Sequence, residues 1–478
     1  MRHRPPRSVL AAVCLALAPA LAPPLAAADE PASGLHRWQV LIMGNPAGEM
    51  TAARQDDAWR VHFEFHDRGR GPALDATIRL AADGTPVAIA IDGVEYLKGA
   101  VAERFTRREG EASWESRSDA GEASVEGPAF YLSLDGTPFE GGLLAAALRL
   151  APGHRLALLP GGEATLREVG RLEVTGPAGR RRLVHYEISG LGFTPQALWL
   201  DEGDAFFAAV SEWMSVVPEG YEDAVPGLLA AQEAEEAARY RRLATELGRR
   251  PQRGIAFTGA ALFDADAGVV RPGMTVLVEG DRITAVGRDA AVAIPAGAEV
   301  VDASGSTLVP GLWDMHAHLS DRDGLLNVAA GVTTARDLAN DTESLLERKR
   351  QWDAGEAIGP RVVLAGFMDG PGPFAGPTRV LVSTPDEARA AIDRYADSGH
   401  EQIKIYSSID PQLVPAIAEH AHARGLRLSG HVPAFMTAEQ AVRQGFDEIQ
   451  HLNMLVLNFL PDVEDTRTPA RFTAVAER

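Results

Sequence analysis

At 478 residues the chain is too long for one ordinary domain of ~100–200 residues and implies two or three. With 46% hydrophobic and 23% charged residues it has the make-up of globular domains, which excludes a disordered or coiled-coil chain. A formal charge of −20 excludes nucleic acid and anionic membrane surfaces as partners, because both repel a polyanion.

Residues 1–28 read as a secretory signal peptide. Basic Arg2, Arg4 and Arg7 precede an apolar run from Val9 to Leu25, and Ala26-Ala27-Ala28 forms a small-residue cleavage site. The mature protein is then expected to start at Asp29, to work in the periplasm or outside the cell, and to have no membrane contact after cleavage. Pro19, Pro23 and Pro24 interrupt the run and count against the competing reading, a spanning helix. Cys14, the only cysteine, leaves with the leader, which excludes disulfide and thiolate chemistry. Val13 before it is too large for a lipid-attachment signal.

Residues 29–225 are expected to form an all-β N-terminal domain. Between Leu35 and Pro218, short alternating runs such as Trp59-Arg60-Val61-His62-Phe63-Glu64-Phe65 are separated by glycine-rich turns such as Gly69-Arg70-Gly71-Pro72. Trp59, Val61, Phe63 and Phe65 share one face of that strand, and His62, Glu64 and His66 share the other. The second set invites a metal reading, but no further ligands cluster nearby, so a solvated sheet face is the better account. A helix follows over residues 226–250, opened by Pro226-Gly227 and closed by Arg249-Arg250-Pro251, inside a linker spanning 226–254. Residues 255–308 hold four short strands, at 256–258, 275–278, 282–286 and 299–302, with turns at Pro272-Gly273, Glu279-Gly280-Asp281 and Pro295-Ala296-Gly297.

Beyond Leu308 the grammar becomes strand-then-helix. Apolar runs fall at 307–313, 331–335, 361–365, 402–406, 426–430 and 446–450, with helices such as Thr384 to Ser398 and Leu413 to Arg424 between them. This alternation implies α/β architecture with a parallel sheet, either doubly wound or closed into a barrel.

Chemistry concentrates at the ends of these runs. Gly311-Leu312-Trp313-Asp314-Met315-His316-Ala317-His318 ends a strand in two imidazoles that face the same way, suited to one divalent ion. His-x-His alone is common. Lys404, His431 and His451 strengthen it, because each stands at or near the end of a successive strand, about one β-plus-α unit apart, and so converges on the same mouth. Tyr406 has same-face spacing with Lys404 and is a candidate substrate contact, with a packed barrel tyrosine the equal alternative. His400, His420 and His422 read as surface or packing residues, and the loop Met368 to Pro373 as a rim.

These motifs resemble the amidohydrolase superfamily, in particular its imidazolonepropionase-like and prolidase-like members. The likeness spans roughly residues 255–478 and rests on Val309 to His318, Gly331 to Asp337, Ile403-Lys404-Ile405, Gly430-His431-Val432-Pro433 and Gln450-His451-Leu452. It implies a small β-sandwich over 255–308 and a (β/α)8 TIM-type barrel, of which 309–478 holds about six units. It implies metal ligation by His316, His318, Lys404, His431 and His451, with Lys404 carboxylated and Asp314 supporting the histidine strand. One or two divalent ions, zinc foremost, would then activate a water to hydrolyse carbon–nitrogen bonds of small molecules such as dipeptides or cyclic amides.

The family's catalytic aspartate ends an eighth strand and is expected beyond residue 478, so the chain reads as an N-terminal portion of a longer protein. Met454 to Leu460 would then be an exposed hydrophobic edge of the sixth strand. Alternatives are an esterase, lactonase or phosphoesterase, or a non-catalytic envelope binding protein. A partner chain completing the barrel and a homo-oligomer both stay open.

Overall fold

The computed structural model describes residues 34–476, so the leader read over residues 1–28 lies outside the described residues. From Leu35 to Pro218 the chain builds one fifteen-stranded sheet. Eight strands from Leu35–Ile42 to Ala120–Ser124 follow one another antiparallel, and seven more run from Ala129–Tyr131 to Met214–Pro218. The halves join where the first strand pairs with the last, Trp38 opposite Pro218 and Ile42 opposite Met214. Alternation sets the faces: in Ala58–Phe65, Val61, Phe63 and Phe65 are buried while His62 and Glu64 are only half-buried. His62 pairs with Asp75 at 2.9 Å across the adjoining strand, as a solvated face requires.

This region is not all β. A helix, Pro138–Leu150, lies against the sheet, and its Phe139, Leu144, Ala145 and Leu148 share a core with Ile91 and Phe105 from one half and Val184 and Leu198 from the other. Each of the larger of these side chains, Phe139, Leu144 and Leu148, contributes about 1.5–3 kcal/mol by leaving water, which outweighs the β grammar around it. Thr137 and Glu140 close a capping box with Pro138 at the first turn, a start signal that the strand reading passed over.

The helix Val225–Leu247 connects this sheet to the rest. Along it Gln232 accepts the indole N–H of Trp199 at 2.8 Å and Arg239 meets Glu187 at 2.7 Å, while Tyr240 enters a core with Ala317, Leu319 and Leu345. A five-stranded sheet follows, made of Ile255–Asp264, Val269–Glu279, Arg282–Arg288, Glu299–Asp302 and Thr307–Leu308. Pro272-Gly273, expected as a turn, lies inside the second of these strands, where the register against Ile255–Asp264 shifts. The pair is absorbed as an irregularity rather than reversing the chain.

Six parallel strands complete the structure in sequential order: Leu312–Ala317, Val332–Asp337, Arg361–Met368, Gln402–Ile405, Arg427–Gly430 and Glu448–Ile449. Five helices alternate with them: Asp321–Ala329, Thr342–Ala354, Pro385–Asp397, Val414–Ala423 and Ala438–Arg443. The order runs without the midway reversal that marks a doubly wound sheet. Among the described residues the first and sixth strands do not pair with each other. Met454 to Leu460 is not a strand edge. Residues Leu452–Val456 are helical and Leu457–Phe459 form a 3-10 turn. Met454 and Leu457, three apart, turn into the core, and Leu452 and Phe459 stay out. No helix among the described residues is long and apolar enough to cross a membrane.

Candidate metal centre

All six parallel strands point their C-terminal ends the same way, so side chains at those ends meet. His316 sits in the strand Leu312–Ala317, and His318 follows it by one residue. The backbone N–H of His316 donates to Asp314 Oδ1 at 3.0 Å, so Asp314 steadies the backbone of the histidine strand rather than an imidazole. His318 Nδ1 lies 2.9 Å from the carbonyl of Ala339; as the N–H tautomer it donates there and leaves Nε2 as a lone-pair donor.

Lys404 is fully buried in Gln402–Ile405, because Ile403 and Ile405 on the opposite face pack beneath the helices and turn it inward. Its Nζ stands 5.3 Å over the ring of Tyr406. His431 follows Gly430, where a Cβ would fall 2.2 Å from the Ile405 carbonyl oxygen; only glycine lets these strands approach so closely. The His431 ring, 2% exposed, stacks on Tyr406 at 3.9 Å. His451 ends its strand at φ +66°, a left-handed conformation unusual for a side chain other than glycine and of the kind that gathers at functional sites. Its ring lies 4.6 Å from that of His316 and 4.9 Å from that of His431, and His316 and His318 are 5.3 Å apart.

The structure thus brings His316, Lys404, His431 and His451 together, with His318 beside them and Tyr406 under His431. Burial first, and the Lys404 ammonium second, push His316 and His451 down to about 4 and His431 well below the ordinary histidine value. Burial, then Arg336, lowers Lys404 to about 7. The imidazoles of His316, His431 and His451 are therefore neutral, lone-pair donors at pH 7. His316 Nε2, His431 Nε2 and Lys404 Nζ are all buried with no hydrogen-bond partner. Orphaned polar atoms of this kind call for a ligand, and neutral imidazole suits zinc and its neighbours. Among the described residues no group of three or more His, Cys, Asp or Glu side chains is placed to hold a metal ion.

The other histidines sit where the packing reading put them. His400 is buried against the Tyr395 carbonyl, His420 pairs with Asp393 and His422 with Asp447. Sequence reasoning missed several residues around the centre. Buried Asp337 accepts the backbone N–H groups of Leu319 and Ala339 and the Asn340 amide, which fixes the loop after His318. Asp369 accepts from Gly370, Gly376 and Ser408 and orders the loop after the third strand. Asp337 ends its strand and Asp369 directly follows one, a signal that was readable. Arg68 and Arg70, which reach the site from the N-terminal sheet, had none.

No protein-family model matches the chain. Imidazolonepropionase of Anaeromyxobacter dehalogenans (strain 2CP-C) is 48% identical over 58 residues, which are 12% of this chain and 14% of that protein. The solved structure of bottromycin amidohydrolase is similar at 25% identity and a TM-score of 0.40, over 51% of each chain. That of molinate hydrolase is similar at 22% identity and a TM-score of 0.35, over 43% of this chain and 59% of the other. The chain spans about a seventh of the length of its curated relative and under two thirds of these solved ones.

Proposed function

We propose that this chain, a member of the amidohydrolase superfamily, is a hydrolase of carbon–nitrogen bonds in small molecules, with one or two divalent metal ions, zinc foremost, held by His316, His318, Lys404, His431 and His451. The supporting observation is the convergence of three buried, unpartnered nitrogens, His316 Nε2, His431 Nε2 and Lys404 Nζ, from three different strand ends. When bound, such ions make a water nucleophilic near neutral pH and polarise a carbonyl. The chain's own residues prepare that site. Neutral imidazoles offer lone pairs without titration. Addition of carbon dioxide to the unprotonated Lys404 amine, with loss of a proton, would give a carboxylate-like ligand where the sequence encodes an amine. Tyr406, stacked on His431, presents a phenol toward the substrate side. The leader would take the protein out of the cytoplasm, and the boundaries at 225, 254 and 308 serve as its domain plan.

Metal content per chain, read by elemental analysis on the wild type, Lys404→Ala and His431→Ala, tests this. About one or two equivalents in the wild type and loss in both variants is expected, together with turnover in a panel of dipeptides and cyclic amides. A metal-free wild type after zinc loading would sink the reading.

A further inference from the structure

Between the strands Ala58–Phe65 and Ala73–Leu80 the N-terminal sheet puts out a tight loop, closed by mutual backbone hydrogen bonds of Asp67 and Arg70 at 2.9 Å. Arg68 at φ +52° and Gly69 at φ +80° form its tip, which rests close enough to Pro469 that a Cβ on Gly69 would stand 3.3 Å from that ring. Asp67, itself 6% exposed, receives Arg68 at 2.7 Å, Arg70 at 2.9 Å and the hydroxyl of Tyr96, so both guanidiniums are held in place before any ligand arrives. They face a cavity also lined by Tyr406, Phe374, Arg467 and Arg471.

The charges around this cavity do not balance. Asp465 pairs with Arg467 at 2.8 Å, Asp67 is shared by Arg68 and Arg70, and buried Asp369 acts on Arg68 and Arg467, which leaves three carboxylates for the four guanidiniums Arg68, Arg70, Arg467 and Arg471. Arg471 places Nη1 3.5 Å from His431 Nδ1, and its Nε is buried with no hydrogen-bond partner. Planar guanidiniums sharing one opening are a fitting receptor for a carboxylate, and the opening adjoins the ring that stacks on His431.

We propose that Arg68 and Arg70 of the N-terminal sheet, with Arg471, form an anion subsite that takes a carboxylate of the substrate, so that the N-terminal sheet selects acidic substrates for the C-terminal site. The assignment of the anion as substrate rests on the hydrolase reading above; the subsite itself does not. A substrate anchored there directs its neighbouring carbon–nitrogen bond toward His431 and Lys404.

Isothermal titration of the whole protein with N-acetyl-L-alanine, N-acetyl-L-alaninamide and inorganic phosphate tests it, in the wild type, Arg68→Gln, Arg70→Gln, Arg471→Gln and Arg68→Lys. The acid is expected to bind about tenfold or more tighter than the amide. Each glutamine variant should erase that preference, with metal content unchanged in Arg68→Gln and Arg70→Gln, and Arg68→Lys should keep part of it. Arg471→Gln leaves the N-terminal loop intact, so it reads the subsite even where a loop variant fails to fold. Equal binding of acid and amide, a preference that survives the glutamine variants, or phosphate binding tighter than the acid would each overturn the proposal. A metal-free protein that still prefers the acid would refute the hydrolase reading and leave the subsite standing.

Discussion

Arg336→Met removes the side chain that ties most of the parallel strands together. Arg336 is 6% exposed; its Nε donates to the Met315 carbonyl at 2.9 Å, Nη1 to Gln402 at 3.3 Å and Glu448 at 2.7 Å, and Nη2 to Glu448 at 2.5 Å. It therefore joins the first, second, fourth and sixth strands. Breaking a buried pair costs about 3–5 kcal/mol. The Glu448 side chain keeps 28% exposure, so water takes over part of its solvation and the expected loss falls to about 2–3 kcal/mol. For a unit of this size that lowers the melting temperature by about 4–12 °C. Arg336 is the first cause holding the Glu448 carboxyl below its ordinary value. A depressed folded-state value means the stabilisation is present above the free glutamate pKa of ~4.3 and is lost as pH falls through the folded value. Calorimetry on the wild type, Arg336→Met, Glu448→Gln and the double variant should thus give a coupling of about 1–3 kcal/mol at pH 7 that shrinks below pH ~4. A melting shift under about 1 °C, or a coupling unchanged between pH 3 and 7, would refute the clamp.

Gly366→Ala should cost about 1–3 kcal/mol in denaturant titrations, because its Cβ would lie 2.3 Å from the ring of Tyr395, which is itself held by a 2.6 Å hydrogen bond to the Phe367 carbonyl; an unchanged midpoint would mean that the helix Pro385–Asp397 slides away freely. Glu109→Asn should raise stability by about 0.5 kcal/mol, since Glu109 at φ +52° and Gly110 at φ +85° make a two-residue hairpin turn that asparagine tolerates better. Circular dichroism melts that show a loss instead would mean that the glutamate makes a compensating contact.

Much of the C-terminal half was legible because local and global signals agree there. Thr384, Pro385 and Glu387 announce a helix start, and the structure has a capping box at that point. The six apolar runs became six strands because each is short, β-rich and followed by helical spacing. Met454 to Leu460 misled because a short apolar run has no period of its own, and only the core beneath Met454 and Leu457 decides it. The ligands announced themselves by chemistry, as a lysine between Ile403 and Ile405 has no other reason to be buried. Arg68 and Arg70 carry no such mark. A surface hairpin with two arginines looks like any solvated turn until the tertiary fold sets it over Tyr406.

The seam between Leu35–Ile42 and Met214–Pro218 also governs when the large sheet can form. The first strand made is a central one, and its second neighbour is the last to be synthesised; the indole of Trp38 waits for the carbonyl of Phe207 across 169 residues of chain. Until then one side of Leu35–Ile42 has unpaired backbone groups, and the hairpins that follow form a locally folded arm whose apolar face lacks Val184 and Leu198. Contacts of such sequence separation slow folding, so pairing of the two halves is expected to be a late step. Cutting the chain anywhere between Ser124 and Ala129 would leave two fragments able to find each other, whereas removing residues 35–42 would deprive both of their shared edge.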